Sequence, residues 1–420
     1  MTRSTAAVVG SGVAGLTAAY LLQKQFDVTL FEADSRLGGH VDTREVDIAG
    51  RKLLAEAGFL IYNERTSPGL KRLFAELGVT GQPAALTTDV TCADCGFVHA
   101  ANPLGTDTTP DRPENIDADT WKRFLDDIAR FSAALQEMAT SGKETTLVIG
   151  ELLEQGGFSE YFVRHFLYPR TGSWFVSGYR ALEVLPVQFV VNTFKNQGLL
   201  EPDPFSSWRM VSEGGREYVR RIAEQLTSVR TATSVNSIRR SDLGIEIHDA
   251  AGGSHRFDKA VIATHASQAR KILVDATAPE RELLGSVQYT PIEVLVHTDT
   301  TVLRNDRVGT SPLNVRVSCL THRTSMDHFH VDVAAVSSLD VPERVLVSYN
   351  SVDLIAPERI LARASYEHPR FDAINFAAQH RLADLSGPTL AFAGSYFGSG
   401  FHEDGCDSAI RAVAALGVTW

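Results

Sequence analysis

The sequence predicts an α/β protein, with a Rossmann-type dinucleotide-binding domain interleaved with a second, α+β domain. Three observations predict it. The chain opens on an apolar run, a glycine turn, a helical stretch, a second apolar run and an acid. It closes on another apolar run, a glycine loop and a helix. Between these ends helical and β blocks alternate over a chain of 420 residues, too long for one simple core.

The opening is the most specific part. Ala6-Ala7-Val8-Val9 runs into Gly10-Ser11-Gly12-Val13-Ala14-Gly15, and Val28-Thr29-Leu30-Phe31 ends on Glu32 and Ala33. In a dinucleotide site Gly10 allows the tight turn, Gly12 lets backbone approach a pyrophosphate, and Gly15 lets helix and strand pack closely. The helix amino terminus, beginning around Ala14, faces the phosphate charge. Glu32 accepts from ribose hydroxyls and would repel a 2′-phosphate, which argues against NADP. The competing reading is a Rossmann-like fold without a ligand.

Further along, Ala55 to Asn63, with Gly58 and Phe59, reads as strand or loop. Ser67 to Leu77 reads as a helix stopped by Gly78. Residues 102–113 are loop-like. An amphipathic helix is predicted over 118–139, with Trp121, Phe124, Leu125, Ile128, Phe131 and Leu135 on one face. Helical pieces at 147–155 and 158–167 follow, Tyr168-Pro169-Arg170 breaks the pattern, and Pro186 to Asn196 resumes it. The aromatics from Phe162 to Phe194 either pack a core or line an apolar pocket. A helix over 216–226, a strand ending at Arg240 that contains Val235, a hairpin turning at Gly252-Gly253, and a buried strand Lys259 to Thr264 come next. The β runs 294–297, 314–320, 329–336 and 345–349 would floor the second lobe. His297, His322, His328 and His330 among them read as surface groups or core partners. Thr389 to Gly394, the loop from Ser395 to Gly400, and a helix over 405–416 complete the chain. The dinucleotide domain is assigned to residues 1–83, 205–280 and 386–420, and the substrate domain to 84–204 and 281–385.

The composition is 44% hydrophobic and 22% charged, with a formal net charge of −11. No basic stripe invites nucleic acid, and no apolar run spans a bilayer. With the first strand beginning near residue 5, no leader is expected and the expected location is cytoplasmic. Cys92 and Cys95 form a single CxxC without a second ligand pair. The expectation is two incidental cysteines in a turn, with His99 nearby and no metal.

After Glu32, the segment Arg36-Leu37-Gly38-Gly39-His40 resembles the flavin-containing amine oxidase superfamily. So do Gly58 to Thr66, Trp208 to Val219, Val261 to Ala266, His368 to Asp372 and Gly400 to Gly405. The match is to a subgroup of FAD/NAD-binding amine-oxidase-like oxidoreductases. The resemblance implies an FAD fold of the amine-oxidase/glutathione-reductase type, with FAD as cofactor. It implies that Arg36, Gly38, Gly39 and His40 pass the diphosphate toward the flavin, that Val235 meets the adenine edge, and that Gly394 and Ser395 lie near the diphosphate or ribityl chain. Phe401, Glu403, Asp404 and Gly405 would then sit by the flavin pyrimidine, with backbone rather than carboxylate contact. Many superfamily members carry a lysine near flavin N5. Here the place falls near Glu293, and no lysine follows Lys271.

Flavin supplies redox chemistry, and the protein supplies pocket and proton-handling groups. His402, His40 and Tyr62 are the candidate catalytic residues, with His368 also considered; His402 serves either proton exchange or packing. Arg170 would hold a substrate carboxylate or a surface ion pair. The leading expectation is hydride removal from an apolar lipid-, polyketide- or terpenoid-like molecule, as in a desaturase. An amine or amino-acid oxidase releasing peroxide, a double-bond isomerase, and a non-catalytic flavin protein are the alternatives.

Overall fold

The structure, a computed structural model, describes residues 3–175, 179–201, 203–303, 311–319, 328–339, 341 and 343–420. Its first organising element is a parallel five-stranded sheet. In space the strands run Ser228–Arg230, Asp27–Phe31, Thr5–Val9, Lys259–Ile262 and Leu390–Phe392, every neighbouring pair parallel. Thr5–Val9 lies in the middle. Its apolar run is continuous rather than alternating because both faces are covered. One face packs under the helices Val13–Gln23 and His402–Ala415; the other meets the hairpin sheet and the helix Ala266–Ile272. Leu16, Leu22, Leu30 and Val261 are fully buried, each worth about 1.5–3 kcal/mol against exposure. Helix Val13–Gln23 is apolar nearly all round, as a helix enclosed on all sides requires.

Beside this sheet, Val235–Ser241, Gly244–Asp249 and Ser254–Phe257 form an antiparallel meander. The second lobe is built on a seven-stranded sheet in the order Ile360–Arg370, Gln288–His297, Leu346–Tyr349, His328–Asp332, Leu313–Val317, Thr88–Cys92, Val98–Ala101. Only Leu313–Val317 and Thr88–Cys92 run parallel to each other. Helices Ala118–Ser141, Ile149–Gly156 and Val187–Asn196 share one apolar core with this sheet. Asp117 caps the first by accepting from the Asp119 and Thr120 amides, which fixes its start.

Two sequence expectations are corrected here. Tyr168-Pro169-Arg170 does not end the helical run: Glu160–Phe162, a π turn at Val163–Leu167 and a helix Tyr168–Phe175 follow without a gap. Pro169 lacks an N–H and would crowd a tight turn, and the wider π turn ahead of it absorbs the misfit. The run 329–336 is strand only to Asp332. There the Asp332 carboxylate accepts from the Ala335 amide and starts the short helix Val333–Val336. His297 and His330 are core partners, both 2.6 Å from the Ser348 hydroxyl. His322 and Leu320 lie outside the described residues. Among the described residues no helix is long and apolar enough to cross a membrane.

Candidate functional site

A cavity of about 850 Å³ runs from the carboxyl end of the parallel sheet into the second lobe. Gly10, Gly12, Ala14, Glu32, Ala33, Arg36, Gly38, Gly39, His40, Gly58, Phe59, Val235, Gly394, Ser395 and Phe401 all line it. Its first end is the fingerprint. Gly10 has φ 99°, and a Cβ there would stand 2.7 Å from the Ala263 carbonyl, so only glycine makes the turn without strain. A Cβ at Gly12 would meet nothing within 4 Å: the space over this glycine is open, as a diphosphate cradle requires. Gly15 does not line the cavity; a Cβ there would sit 1.8 Å from the Gly10 carbonyl oxygen, so it serves close packing.

Glu32 is held in place. Its carboxylate accepts from the Ser11 amide at 2.9 Å and the Asp34 amide at 2.9 Å. The Ser11 hydroxyl also donates to it at 2.5 Å; of the roughly four lone-pair sites of a carboxylate this leaves about one for a ribose hydroxyl. Arg36 is largely occupied: it donates to the carbonyls of Leu37, Val41 and Gly39 at 3.1, 2.7 and 2.7 Å. Its main work is therefore to shape the Gly38–Val41 loop.

The middle of the cavity carries histidines. His40 lies with ring centroids 5.3 Å from His368, 6.0 Å from His265 and 4.9 Å from Tyr366. Tyr366 donates to Asp42 at 2.6 Å, and Asp42 also pairs with Arg44. Burial first, then the neighbouring histidines, pushes His40 down to about 3. Burial likewise pushes His368 down to about 4 and His402 to about 3. At neutral pH all three rings are uncharged.

His402 is stacked on Phe59 at 3.6 Å and 11°, with its Nε2 2.7 Å from the Tyr218 hydroxyl. This half-buried ring on the cavity wall has one nitrogen engaged and stacks on Phe59, which gives it a packing and hydrogen-bonding role.

The far end is apolar. Leu60, Ile61, Leu86, Pro103, Trp174, Phe175, Trp208, Leu313, Phe329, Tyr349 and Phe371 line it. The charged lining residues, Glu32, Asp34, Arg36, Lys271 and Glu367, come from the fingerprint, its flanking segments and the strand Ile360–Arg370. None belongs to this aromatic group. Glu293 is exposed and absent from the wall. The one lysine among the described lining residues is Lys271, on the helix Ala266–Ile272.

Several expected residues stand elsewhere. Tyr62 is buried against Phe74 and does not line the cavity. The Glu403 carboxylate turns to the Gly69 and Leu70 amides at 2.7 and 2.9 Å, and burial raises it to about 7. The Asp404 carboxylate turns to the Ser399 and Phe401 amides. Gly405 packs on Val13. None of the three reaches the wall, because one turn of helix points positions 403 to 405 away from the side that Phe401 and His402 face. Helix geometry still leaves the first-turn amides there without intrahelical partners.

Arg170 is neither a surface group nor a cavity group. It is buried, donating to the Asn102 carbonyl at 2.9 Å and lying 2.8 Å from His99 Nδ1. The sequence expects two incidental cysteines in a turn and no metal; the structure places further ligand-type groups beside them. The sulfurs of Cys92 and Cys95 converge with Cys319 and His165, all four ligand atoms within 4.8 Å of one another. His99, the histidine near them in sequence, bonds Thr108 instead.

The sequence pattern of the family described as flavin containing amine oxidoreductase matches residues 13–364. Among solved structures, cyclohexylamine oxidase from Brevibacterium oxydans IH-35A is similar at a TM-score of 0.70 and 17% identity, over 99% of each chain. Wild-type putrescine oxidase bound to putrescine gives 0.69 and 14%, over 99% of each chain. A CLA-producing fatty acid isomerase from P. acnes gives 0.67 and 14%, over 98% of each chain. At such identities the likeness is one of fold. No curated protein matches the chain in sequence.

Proposed function

The chain belongs to the flavin containing amine oxidoreductase family and is an FAD-dependent oxidoreductase; from that premise we propose that its substrate is an uncharged, apolar molecule of lipid, polyketide or terpenoid type, oxidised at a C–H bond. FAD, when bound, supplies a two-electron acceptor. The residues that would hold it are the Gly10–Ala14 turn at the diphosphate, Glu32 at the ribose and Val235 at the adenine. Gly38–His40, Gly58, Phe59, Gly394, Ser395 and Phe401 would follow along its length.

The observation that carries the proposal is that no charged side chain stands among the described residues of the far wall. An amine substrate enters as an ammonium; the aromatic rings of the far wall can face such a cation, but no carboxylate stands among the described wall residues to pair with it. Leu60, Ile61, Leu86, Leu313 and Phe329 offer neither charge nor hydrogen bond. An apolar molecule gains about 25 cal/mol for each Å² it buries there. The neutral imidazoles of His40, His368 and His402 all line the cavity and are the groups placed to take up the proton released as the substrate is oxidised. The ring of His402, hydrogen-bonded to Tyr218, also orients Phe59 by stacking on it.

The test is anaerobic titration of the FAD-loaded protein, followed by flavin absorbance. Long-chain acyl esters, unsaturated hydrocarbons and terpenoid alcohols form one panel; putrescine and cyclohexylamine form the other. Bleaching by a member of the first panel is expected. Bleaching by the amines alone, with peroxide appearing in air, would overturn the proposal.

A further inference from the structure

We propose that Cys92, Cys95, His165 and Cys319 form a structural zinc site that joins the helical layer of the second lobe to its sheet. The four groups come from three separate parts of the chain. Cys92 ends the strand Thr88–Cys92, and Cys95 sits in the turn before Val98–Ala101. Cys319 lies just beyond Leu313–Val317, the strand parallel to Thr88–Cys92, with Val317 opposite Cys92. His165 arrives from above, in the π turn Val163–Leu167, a local widening common at functional positions.

All four ligand atoms lie within 4.8 Å of one another, and three of their separations are close to the edges of a tetrahedral site. Cys92 Sγ is 3.5 Å from Cys319 Sγ. His165 Nε2 is 3.4 Å from Cys95 Sγ and 3.3 Å from Cys319 Sγ. With zinc–sulfur bonds of about 2.3 Å and zinc–nitrogen bonds of about 2.0–2.1 Å, the edges of a tetrahedral site come to about 3.6–3.8 Å. Seating the ion asks for small adjustments of side chains already converging.

The surroundings are arranged as ligand support. His165 Nδ1 lies 3.0 Å from the Tyr161 carbonyl. That contact fixes the proton on Nδ1 and aims the Nε2 lone pair at the sulfurs, the usual outer partner of a metal-bound imidazole. The Asp94 carboxylate accepts from the Cys319 amide at 2.8 Å and the Ser318 hydroxyl at 2.5 Å, tying the Cys319 segment to the CxxC turn. Cys92, Cys95 and His165 are buried.

Three thiolates and one imidazole select a soft or borderline cation and suit zinc. Four protein ligands leave no open position, so the site is structural rather than catalytic. None of the four lines the cavity. Binding of Zn²⁺ displaces the three thiol protons, with no change of oxidation state.

The position gives the site a purpose. The helical run that carries His165 continues to Trp174 and Phe175, which do line the cavity. Clamping His165 to the sheet fixes the wall against which an apolar substrate rests.

Elemental analysis of the purified full chain tests this, alongside Co²⁺ reconstitution and a thiol count in denaturant with chelator. About one zinc per chain, four free thiols, and Co²⁺ absorption bands of tetrahedral thiolate type are expected. His165→Ala and Cys319→Ser should lose at least tenfold in zinc affinity, and a chelator should lower the melting temperature of the wild type alone. If a variant fails to fold, the wild-type Co²⁺ spectrum still decides. Wild-type protein that folds without zinc and gives no thiolate–Co²⁺ band overturns the proposal. A thiol count of two, marking a disulfide in the cluster, overturns it as well.

Discussion

Gly12 and Gly15 sit three residues apart in one turn, and the structure separates their failures. At Gly12 the backbone has φ −64° and ψ 177°, open to any L residue, and a Cβ meets nothing within 4 Å. Gly12→Ala gains about 0.4–1 kcal/mol from the reduced freedom of the unfolded chain. It gives part of this back because Ala caps a helix less well than Gly. The apo fold should therefore melt within a few degrees of the wild type. The new methyl nevertheless enters the open space over the turn, where the proposed site puts the diphosphate. FAD affinity should fall at least tenfold, about 1.4 kcal/mol.

At Gly15 the same methyl stands 1.8 Å from the Gly10 carbonyl oxygen. That obstacle is backbone, so relief requires the helix and strand to part. Overpacking of a core costs about 1–3 kcal/mol, and the short approach places Gly15→Ala at or above the top of that range. Thermal melts of apo protein, paired with FAD titration by fluorescence quenching, read the two effects independently. If Gly12→Ala melts as low as Gly15→Ala, or binds FAD like the wild type, the assignment of turn and cradle is wrong.

Glu403→Gln should show a pH-dependent cost. The folded-state pKa of Glu403 is raised to about 7 from an ordinary 4.5. Its contribution is therefore fully present below about pH 4.5 and is lost as the pH rises through 7. The melting temperature of the variant, measured relative to wild type, should improve between pH 5 and pH 8.5; a constant gap would refute this. Leu60→Glu places a carboxylate in the apolar wall and should cut kcat/KM for an apolar substrate at least tenfold, about 1.4 kcal/mol. FAD content should be unchanged, and steady-state rates with flavin absorbance check both.

The parts legible in sequence are those whose physics is local. The turn from Gly10 to Gly15 and the acid at Glu32 carry their roles within thirty-two residues, and the amphipathic stripe from Trp121 to Leu135 announces its helix. The strand Ile360–Arg370 carries no such signal. Its residues alternate between exposed and half-buried, so no apolar rhythm marks it, yet it brings Tyr366 and His368 to the cavity. Trp174, Trp208 and Tyr349 are wall residues only because distant segments meet, and in sequence they look like any core aromatic. Glu403 and Asp404 misled because acids beside a glycine loop suggest a ligand, whereas the direction of the helix turns both toward backbone amides. The CxxC at Cys92 lacked partners for a similar reason: Cys319 is 227 residues away, and only the parallel pairing of two strands brings it near.

The strand order of the parallel sheet bears on how the chain comes to be folded at all. Thr5–Val9, Asp27–Phe31 and Ser228–Arg230 can pair early, and Lys259–Ile262 can join them. Its outer edge is covered only by Leu390–Phe392, which leaves the ribosome roughly 6 to 26 seconds later at about 5–20 residues per second. Through that interval an apolar strand presents unpaired amides and carbonyls, a template for aggregation. The nascent chain therefore needs its edge shielded, by a chaperone or by fast growth of the intervening lobe. Slow synthesis across residues 263–389 would prolong that exposure, just as slow synthesis across residues 32–258 prolongs the exposure of the edge of Thr5–Val9 that Lys259–Ile262 covers.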